Sequence, residues 1–222
     1  MLLAVDIGNT NIVLGVLDGE NLVYSGRFST HIHQTVEECA MNLYSFLNIH
    51  SIGKIDGAII SSVVPALVST VKGAVKLVTG VHALVVGPGI KTGLSIKIDD
   101  PAQLGADLVV GAVAAKEKYP QPTIIFDLGT ATTGTVLDKD GCCIGGMIAA
   151  GVKSSINALS TGTAQLPQID ISAPKKIIGT NTIDCMKSGT VIGTAVMIDG
   201  FVERFEDELG EKATVVVTGG LG

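Results

Sequence analysis

Leu2-Leu-Ala-Val-Asp6-Ile-Gly-Asn-Thr10 opens the chain, and Thr123-Ile-Ile-Phe-Asp127-Leu-Gly-Thr-Ala-Thr-Thr133 opens its second half on the same plan. Each is an apolar run of strand character that ends in Asp-x-Gly and continues into Asn or Thr side chains. Two more strand-like stretches follow each copy, at 12–17 and 22–28 in the first, through 136–137 and at 142–148 in the second. Asp18-Gly19 is a hairpin signal in the first copy, and Asp138-Lys-Asp-Gly141 marks the equivalent turn in the second. Even the approach matches, since Val16-Leu17-Asp18 is answered by Val136-Leu137-Asp138. A unit that occurs twice predicts two similar lobes, where many copies would predict a solenoid. The expected class is α/β, with each lobe built on a mixed sheet begun by a three-strand meander and flanked by helices, and with a nucleotide cleft between the lobes.

The remaining elements fit this frame. Residues 35–47 read as a helix opened by a Thr35/Glu38 capping box, with apolar residues at helical spacing. Residues 57–63 form a buried strand ending in Ser61-Ser62. Residues 65–78 form a helix with Pro65 at its start and Gly80 after its end. Residues 83–86 are a short strand, and a helix runs on from Asp107 towards Lys118. Residues 181–209 read as largely helical, as two helices broken near Gly189 or Gly193. Residues 213–217 form a strand that leads into Thr218-Gly-Gly220. The expected lobes are 1–118 and 119–222. Because the chain stops on a Gly-rich turn just after a buried strand, it reads as a truncated form of a longer protein.

Composition excludes several classes. Hydrophobic residues are 46 % but aromatics only 4 %, so the core is built of Ile, Val, Leu and Ala. A formal net charge of −6 with 16 % charged residues argues against a non-specific nucleic-acid binder. The first six residues are too short and too soon charged for a signal peptide, and no apolar run reads as long enough to span a bilayer. The expectation is therefore a cytoplasmic protein without a membrane or nucleic-acid partner. Cys39, Cys142, Cys143 and Cys185 lack a C-x-x-C spacing and read as free thiols, and His31 with His33 reads as a loop pair. There is no G-x-x-x-x-G-K-[ST] and no G-x-G-x-x-G after a strand, which removes P-loop and dinucleotide folds; Gly87-Pro-Gly89 reads as a turn.

What remains is phosphate chemistry. Gly8 lets the backbone turn tightly and lets a phosphate approach the amides, while Asn9 and Thr10 add side-chain donors. Gly129, Thr130, Thr132 and Thr133 offer the same in the second copy. Asp6 and Asp127 end their strands where a metal bridging phosphate oxygens could be held. A single Asp-Gly turn would be unremarked structure; two, both rich in Asn and Thr, favour a phosphate clamp. On residues alone Asp107 divides evenly between a helix-capping acid and a catalytic base.

The motifs Asp6-Ile-Gly-Asn-Thr10, Gly105-Ala-Asp107, Asp127-Leu-Gly-Thr-Ala-Thr-Thr133, Gly145-Gly146, Gly179-Thr-Asn-Thr182 and Thr218-Gly-Gly220 occur in an order that resembles type III pantothenate kinases across essentially the whole chain. These enzymes belong to the acetate/sugar kinase–Hsp70–actin superfamily, so the resemblance implies two ribonuclease H-like (actin-like ATPase) lobes. It implies ATP-dependent phosphorylation of pantothenate to 4′-phosphopantothenate, the first step of coenzyme A biosynthesis, with Mg²⁺ and a monovalent cation (K⁺ or NH₄⁺). It also implies a homodimer. Asp6, Gly8, Asn9 and Thr10 match the first phosphate motif, Asp6 holding Mg²⁺ through phosphate. Gly129, Thr130 and Thr132 match the second, and Gly219 and Gly220 complete the ATP contacts. Asp107 matches the catalytic base, within a substrate-binding group of Gly105, Ala106, Asp107 and Leu108. Asp127 matches a monovalent-cation ligand, and Thr182 a substrate contact supplied across the dimer. Three positions depart from the family pattern: Leu108 stands where many members carry Arg, Ala150 where Pro is usual, and Thr135 where some members carry Asp. The alternatives are a nucleotide-binding regulatory paralogue without turnover, and an ATPase or polyphosphatase of the same fold.

Overall fold

Alternation along the first strand sets the architecture. In β1 (Leu2–Ile7), Leu3, Val5 and Ile7 are buried while the residues between them are not, so one face is committed to a core and the other is left for Asp6. β2 (Asn11–Asp18) repeats the pattern through Ile12, Leu14 and Val16, and β3 (Asn21–Ser29) completes the meander. The hairpin between β2 and β3 turns at Gly19 with φ 61°, a left-handed conformation that glycine enters without a Cβ penalty.

The computed structural model describes residues 1–221, which fall into two compact units: 1–92 with 102–110, and 93–101 with 111 onwards. In the first unit the strand order is β3-β2-β1-β4-β5, with β4 (Gly57–Ser62) and β5 (Leu84–Val85) parallel to β1. Helix α1 (Val36–Ile49) begins at the Thr35/Glu38 capping box, both reciprocal hydrogen bonds being made. Helix α2 (Pro65–Thr79) has Pro at its start and ends at Gly80 in the left-handed conformation. Cys39, Leu43 and Leu47 of α1 and Leu67, Val71 and Val75 of α2 close over the buried strand residues to form the core of this unit.

The second unit repeats the meander. β6 (Thr123–Leu128), β7 (Ala131–Leu137) and β8 (Cys143–Ala150) are antiparallel neighbours, and β9 (Thr214–Thr218) joins β6 in parallel, giving the order β8-β7-β6-β9. Asp6 pairs in register with Val13, and Asp127 with Thr133, so the two acids occupy equivalent places at the ends of equivalent strands. Helix α3 (Ala106–Lys118) precedes this sheet in the chain, and α4 (Val152–Gly162), unpredicted from the sequence, follows β8. Ile124, Phe126 and Val136 make a smaller core with Ile198, Phe201, Val202 and Phe205.

Two expectations need correction. The stretch after residue 181 is not broken at Gly189 or Gly193. It is one continuous helix, α5 (Thr182–Lys187) running through a π-helical turn (Ser188–Ile192) into α6 (Gly193–Leu209). The glycines are absorbed by a widened turn, which accommodates an extra residue without ending the helix. The same helix, Thr182–Leu209, is by length and composition long and apolar enough to cross a membrane, contrary to the reading that no segment is. Its second half packs Ile198, Phe201 and Phe205 against Ile124, Phe126 and Val136 of the β6–β7 sheet.

Candidate active site

The first unit gathers carboxylates and a tight turn at the end of β1. Gly8 N–H donates to Asn11 O at 3.0 Å, closing the turn, and a Cβ at Gly8 would lie 3.1 Å from that same oxygen. Thr30 secures the turn from the end of β3, with its hydroxyl donating to Gly8 O at 2.7 Å and its amide to Thr10 O at 3.0 Å. Asn9 and Thr10 stand exposed at the tip. Helix α3 begins near enough to Asp6 for the charge of Asp107 to act on it. Its Val109 N–H donates to Gly105 O, and a Cβ at Gly105 would fall 2.5 Å from Asp107 Oδ1 and 3.8 Å from Val63. Glycine at 105 is what allows the Asp107 carboxylate to fold back over the start of the helix. Oδ1 of Asp107 accepts the Leu108 amide at 2.8 Å. Asp107 thus sits inside the first turn, as a helix-start acid is expected to, and its charge also reaches Asp6.

Burial is the main reason the Asp6 carboxyl sits above its ordinary pKa. The neighbouring Ser61 hydroxyl lowers it in part, and the charge of Asp107 raises it further. Ser61 is the register partner of Asp6 on the adjacent parallel strand. It is close enough to temper the carboxylate but makes no hydrogen bond of good geometry, so its buried Oγ is unpartnered.

In the second unit Gly129 N–H donates to Ala131 O at 3.0 Å, the counterpart of the Gly8 turn. Thr130 O is fixed by the Gly151 amide at 3.2 Å and the Ser154 hydroxyl at 2.7 Å, so the start of α4 braces this turn. Thr132 and Thr133 carry buried hydroxyls without a hydrogen-bond partner beside Asp127. Gly219 has φ 97°, and a Cβ there would overlap Asp127 Oδ1 and the Leu128 backbone. The turn after β9 is therefore pressed directly against the β6 acid, which brings Asp127, Gly219 and the Gly129 turn together; Gly220 follows in the same turn.

Thr182 lies elsewhere in this unit. It is the first residue of α5, after the Asn181 cap, and lines an open groove of about 860 Å³ with Ala150, Leu159, Cys185, Met186 and Met197; Asp127 and Thr130 are not among the lining residues. Ala150, one of the departures from the family pattern, is thus part of a groove wall.

The sequence reading missed Ser61 as a site residue, and Thr30 and Ser154 as braces of the two turns. Ser61 had one usable signal, a polar pair ending a buried strand. Thr30 and Ser154 had none, because their role depends on which turn each hydroxyl reaches.

Among the described residues no group of three or more His, Cys, Asp or Glu could hold a metal ion. A divalent ion bound by one carboxylate and by substrate phosphates requires no such cage, and Asp6 beside the Gly8 turn fits that mode. The unpartnered hydroxyls of Ser61, Thr132 and Thr133 are likewise oxygen donors suited to a hard cation or a phosphate shell.

Two Asp-x-Gly turns on duplicated meander sheets define a protein of the actin-like ATPase and sugar-kinase fold. Solved structures agree: a conserved Baf-family transcriptional activator from Campylobacter jejuni superposes with TM-score 0.61 at 17 % identity, over 99 % of this chain and 84 % of that one. The activator of the 2-hydroxyisocaproyl-CoA dehydratase from Clostridium difficile, with bound ADPNP, gives 0.51 at 13 % identity, over 99 % and 80 %. The chain belongs to the type III pantothenate kinase family, whose model matches residues 2–204. It is 44 % identical over 224 aligned residues to a type III pantothenate kinase from an Exiguobacterium strain, covering all of this chain and 87 % of the relative.

Proposed function

We propose that the chain transfers the terminal phosphoryl group of ATP to the primary hydroxyl of pantothenate, the step that opens coenzyme A biosynthesis, and that its carboxylates divide the work. Family membership makes it a kinase and supports pantothenate as acceptor. The observation that carries the division of roles is the placement of Asp107 beside Asp6 at the start of α3.

Phosphoryl transfer asks mainly for alignment and charge neutralisation. Gly8, Asn9 and Thr10 are the phosphate-binding residues of the first unit, and Gly129, Thr130, Thr132, Gly219 and Gly220 are those of the second. Asp6 would hold Mg²⁺ together with the nucleotide phosphates, and Asp127 would hold a monovalent cation, K⁺ or NH₄⁺. These ions would neutralise charge on the transferring group. Asp107 accepts the proton of the acceptor hydroxyl as the new O–P bond forms and the bond from the γ-phosphorus to the β,γ-bridging oxygen breaks, releasing ADP. Gly105 and Ala106 leave space for the substrate, and Leu108 offers it an apolar contact where an Arg would offer charge.

Assembly completes the reading. Thr182 serves the substrate site of a second copy in a homodimer. The apolar window of the Thr182–Leu209 helix is only 11 % buried within one chain, and Ile183 and Val196 stand exposed on it. A symmetric pairing of this face would bury it. The lobes are taken as 1–118 and 119–222, and the location as cytoplasmic, without nucleic acid or membrane as partner.

The test is ADP release with and without pantothenate. Turnover that requires pantothenate supports the reading; pantothenate-independent hydrolysis of comparable rate would sink it.

A further inference from the structure

We propose that Ser61 is a positioning residue of the phosphate site, its hydroxyl orienting the Asp6 carboxylate when a magnesium-bound nucleotide is engaged. Three observations carry this. Ser61 and Asp6 are in-register partners on parallel strands β4 and β1, which sets their side chains on the same face roughly 4.8 Å apart. Ser61 is 6 % exposed, so its hydroxyl cannot turn to solvent. Its Oγ makes no hydrogen bond of good geometry, although a buried hydroxyl ordinarily does, and what it gives Asp6 is a loose contact that only partly lowers that carboxyl's pKa.

The neighbouring serine shows what a structural hydroxyl does at this strand end. Ser62 Oγ accepts the Val64 amide at 3.0 Å and donates to Val64 O at 3.2 Å, tying down the entry to α2. Ser61 braces nothing of this kind. Its hydroxyl is a donor held in reserve beside a carboxylate that has two oxygens and several lone pairs to satisfy. With one carboxylate oxygen committed to the ion, the other is free to accept from Ser61. That hydrogen bond fixes the carboxylate plane and so the position of the ion relative to the Gly8 turn. Oriented support of a ligating carboxylate typically changes metal affinity by about 10–100-fold. The proposal rests on the reading of Asp6 as the Mg²⁺-holding acid.

Calorimetric titration with the non-hydrolysable analogue β,γ-imido-ATP, with and without Mg²⁺, tests it beside thermal denaturation of the free protein. Wild type is expected to bind more tightly with Mg²⁺, and Asp6→Asn to lose that gain. Ser61→Ala is expected to lose about 10-fold of the Mg²⁺-dependent affinity while keeping its Mg²⁺-independent affinity and a Tm close to wild type, because the hydroxyl removed braces no backbone segment. Ser61→Thr, which restores the hydroxyl, recovers part of the affinity. Ser62→Ala lowers Tm and leaves the Mg²⁺ dependence intact. In the Asp6→Asn background, Ser61→Ala adds less than twofold. If wild type gains nothing from Mg²⁺, the Asp6 reading and this inference fall together. If Asp6→Asn behaves as expected while Ser61→Ala matches wild type, or if the two effects multiply independently, the Asp6 reading stands and the positioning role is overturned.

Discussion

Asp107, on the first turn of α3, and Asp6, at the end of β1, are near enough that the charge of the first adds to the raised pKa of the second. Two acids kept close in a partly buried place repel each other, and the arrangement costs stability unless cations are bound. Such a cost at the end of a strand, beside an exposed Asn-Thr turn, is the physical mark of a site arranged for charge it does not itself contain.

The cost is measurable. The folded-state pKa of Asp6 lies above the ordinary value of 3.8, with burial the first cause. The folded protein therefore holds the Asp6 proton more tightly than the unfolded chain. Its contribution to stability is most favourable below pH 3.8 and is lost as pH rises through the folded pKa. Asp6→Asn should raise Tm of the ligand-free protein at pH 7 by roughly 1–3 °C, the scale of a fraction of a kcal/mol in a chain of this length. The gain should shrink on acidification and disappear below about pH 3.8. A gain that stayed constant with pH would point to packing, not charge.

Gly219→Ala places a methyl group on Asp127 Oδ1 and the Leu128 backbone, at a φ of 97° that L-residues rarely adopt. A loss of about 2–4 kcal/mol is expected from strain and overlap together, visible as a lower denaturation midpoint. If Asp127 holds the monovalent cation, the folded fraction should also lose its activation by K⁺. Gly220→Ala is the contrast, since a Cβ there meets nothing within 4 Å. Equal midpoints for the two variants would contradict the close approach of the β9 turn to Asp127.

Thiol labelling reads out assembly. Cys39, Cys142 and Cys143 are buried and Cys185 is exposed on the groove side of α5. Burial pushes the Cys39 thiol up to about 11 and raises Cys143 as well, so neither offers much thiolate at neutral pH. In dilute native protein one thiol should react with a bulky maleimide, against four after denaturation. If a second copy covers the Thr182 face, Cys185 labelling should slow at least fivefold as protein concentration rises. A rate independent of concentration, in protein shown by light scattering to be monomeric, would remove the homodimer.

What could be read from the sequence was what repeats or is local. The two Asp-x-Gly turns are legible because an apolar strand run leads into each and the spacing to the following hairpin differs by only one residue. The α1 cap is legible because Thr35 and Glu38 are three residues apart. The pairing of Asp6 with Ser61 is not local: it exists only once β4 lies parallel to β1, and no pattern within either strand states that. The pressing of Gly219 on Asp127 is hidden for the same reason, through β9 and β6. At Gly189 and Gly193 local reasoning misled, because glycine weakens a helix without dictating whether it breaks or widens. Here Thr190 returns its hydroxyl to Met186 O and the helix continues through a π turn.

Asp107→Asn is the substitution that separates the two roles this acid can hold. An amide oxygen still accepts the Leu108 N–H that Asp107 Oδ1 accepts at 2.8 Å, so the start of α3 should keep its geometry. Gly105 leaves the same space for a side chain of nearly the same shape. What the amide cannot do at neutral pH is take up a proton. If Asp107 is the base acting on the acceptor hydroxyl, kcat should fall by roughly 10²–10⁴-fold, the usual worth of general-base assistance. KM for ATP should change little, since the phosphate turns are untouched. Loss of the Asp107 charge should also relieve Asp6, so that nucleotide affinity in Mg²⁺ stays level or shifts modestly. Steady-state kinetics with pantothenate, together with nucleotide titration, check both halves. If kcat stays near wild type while ATP still binds, Asp107 is only a helix-start acid and the base lies elsewhere.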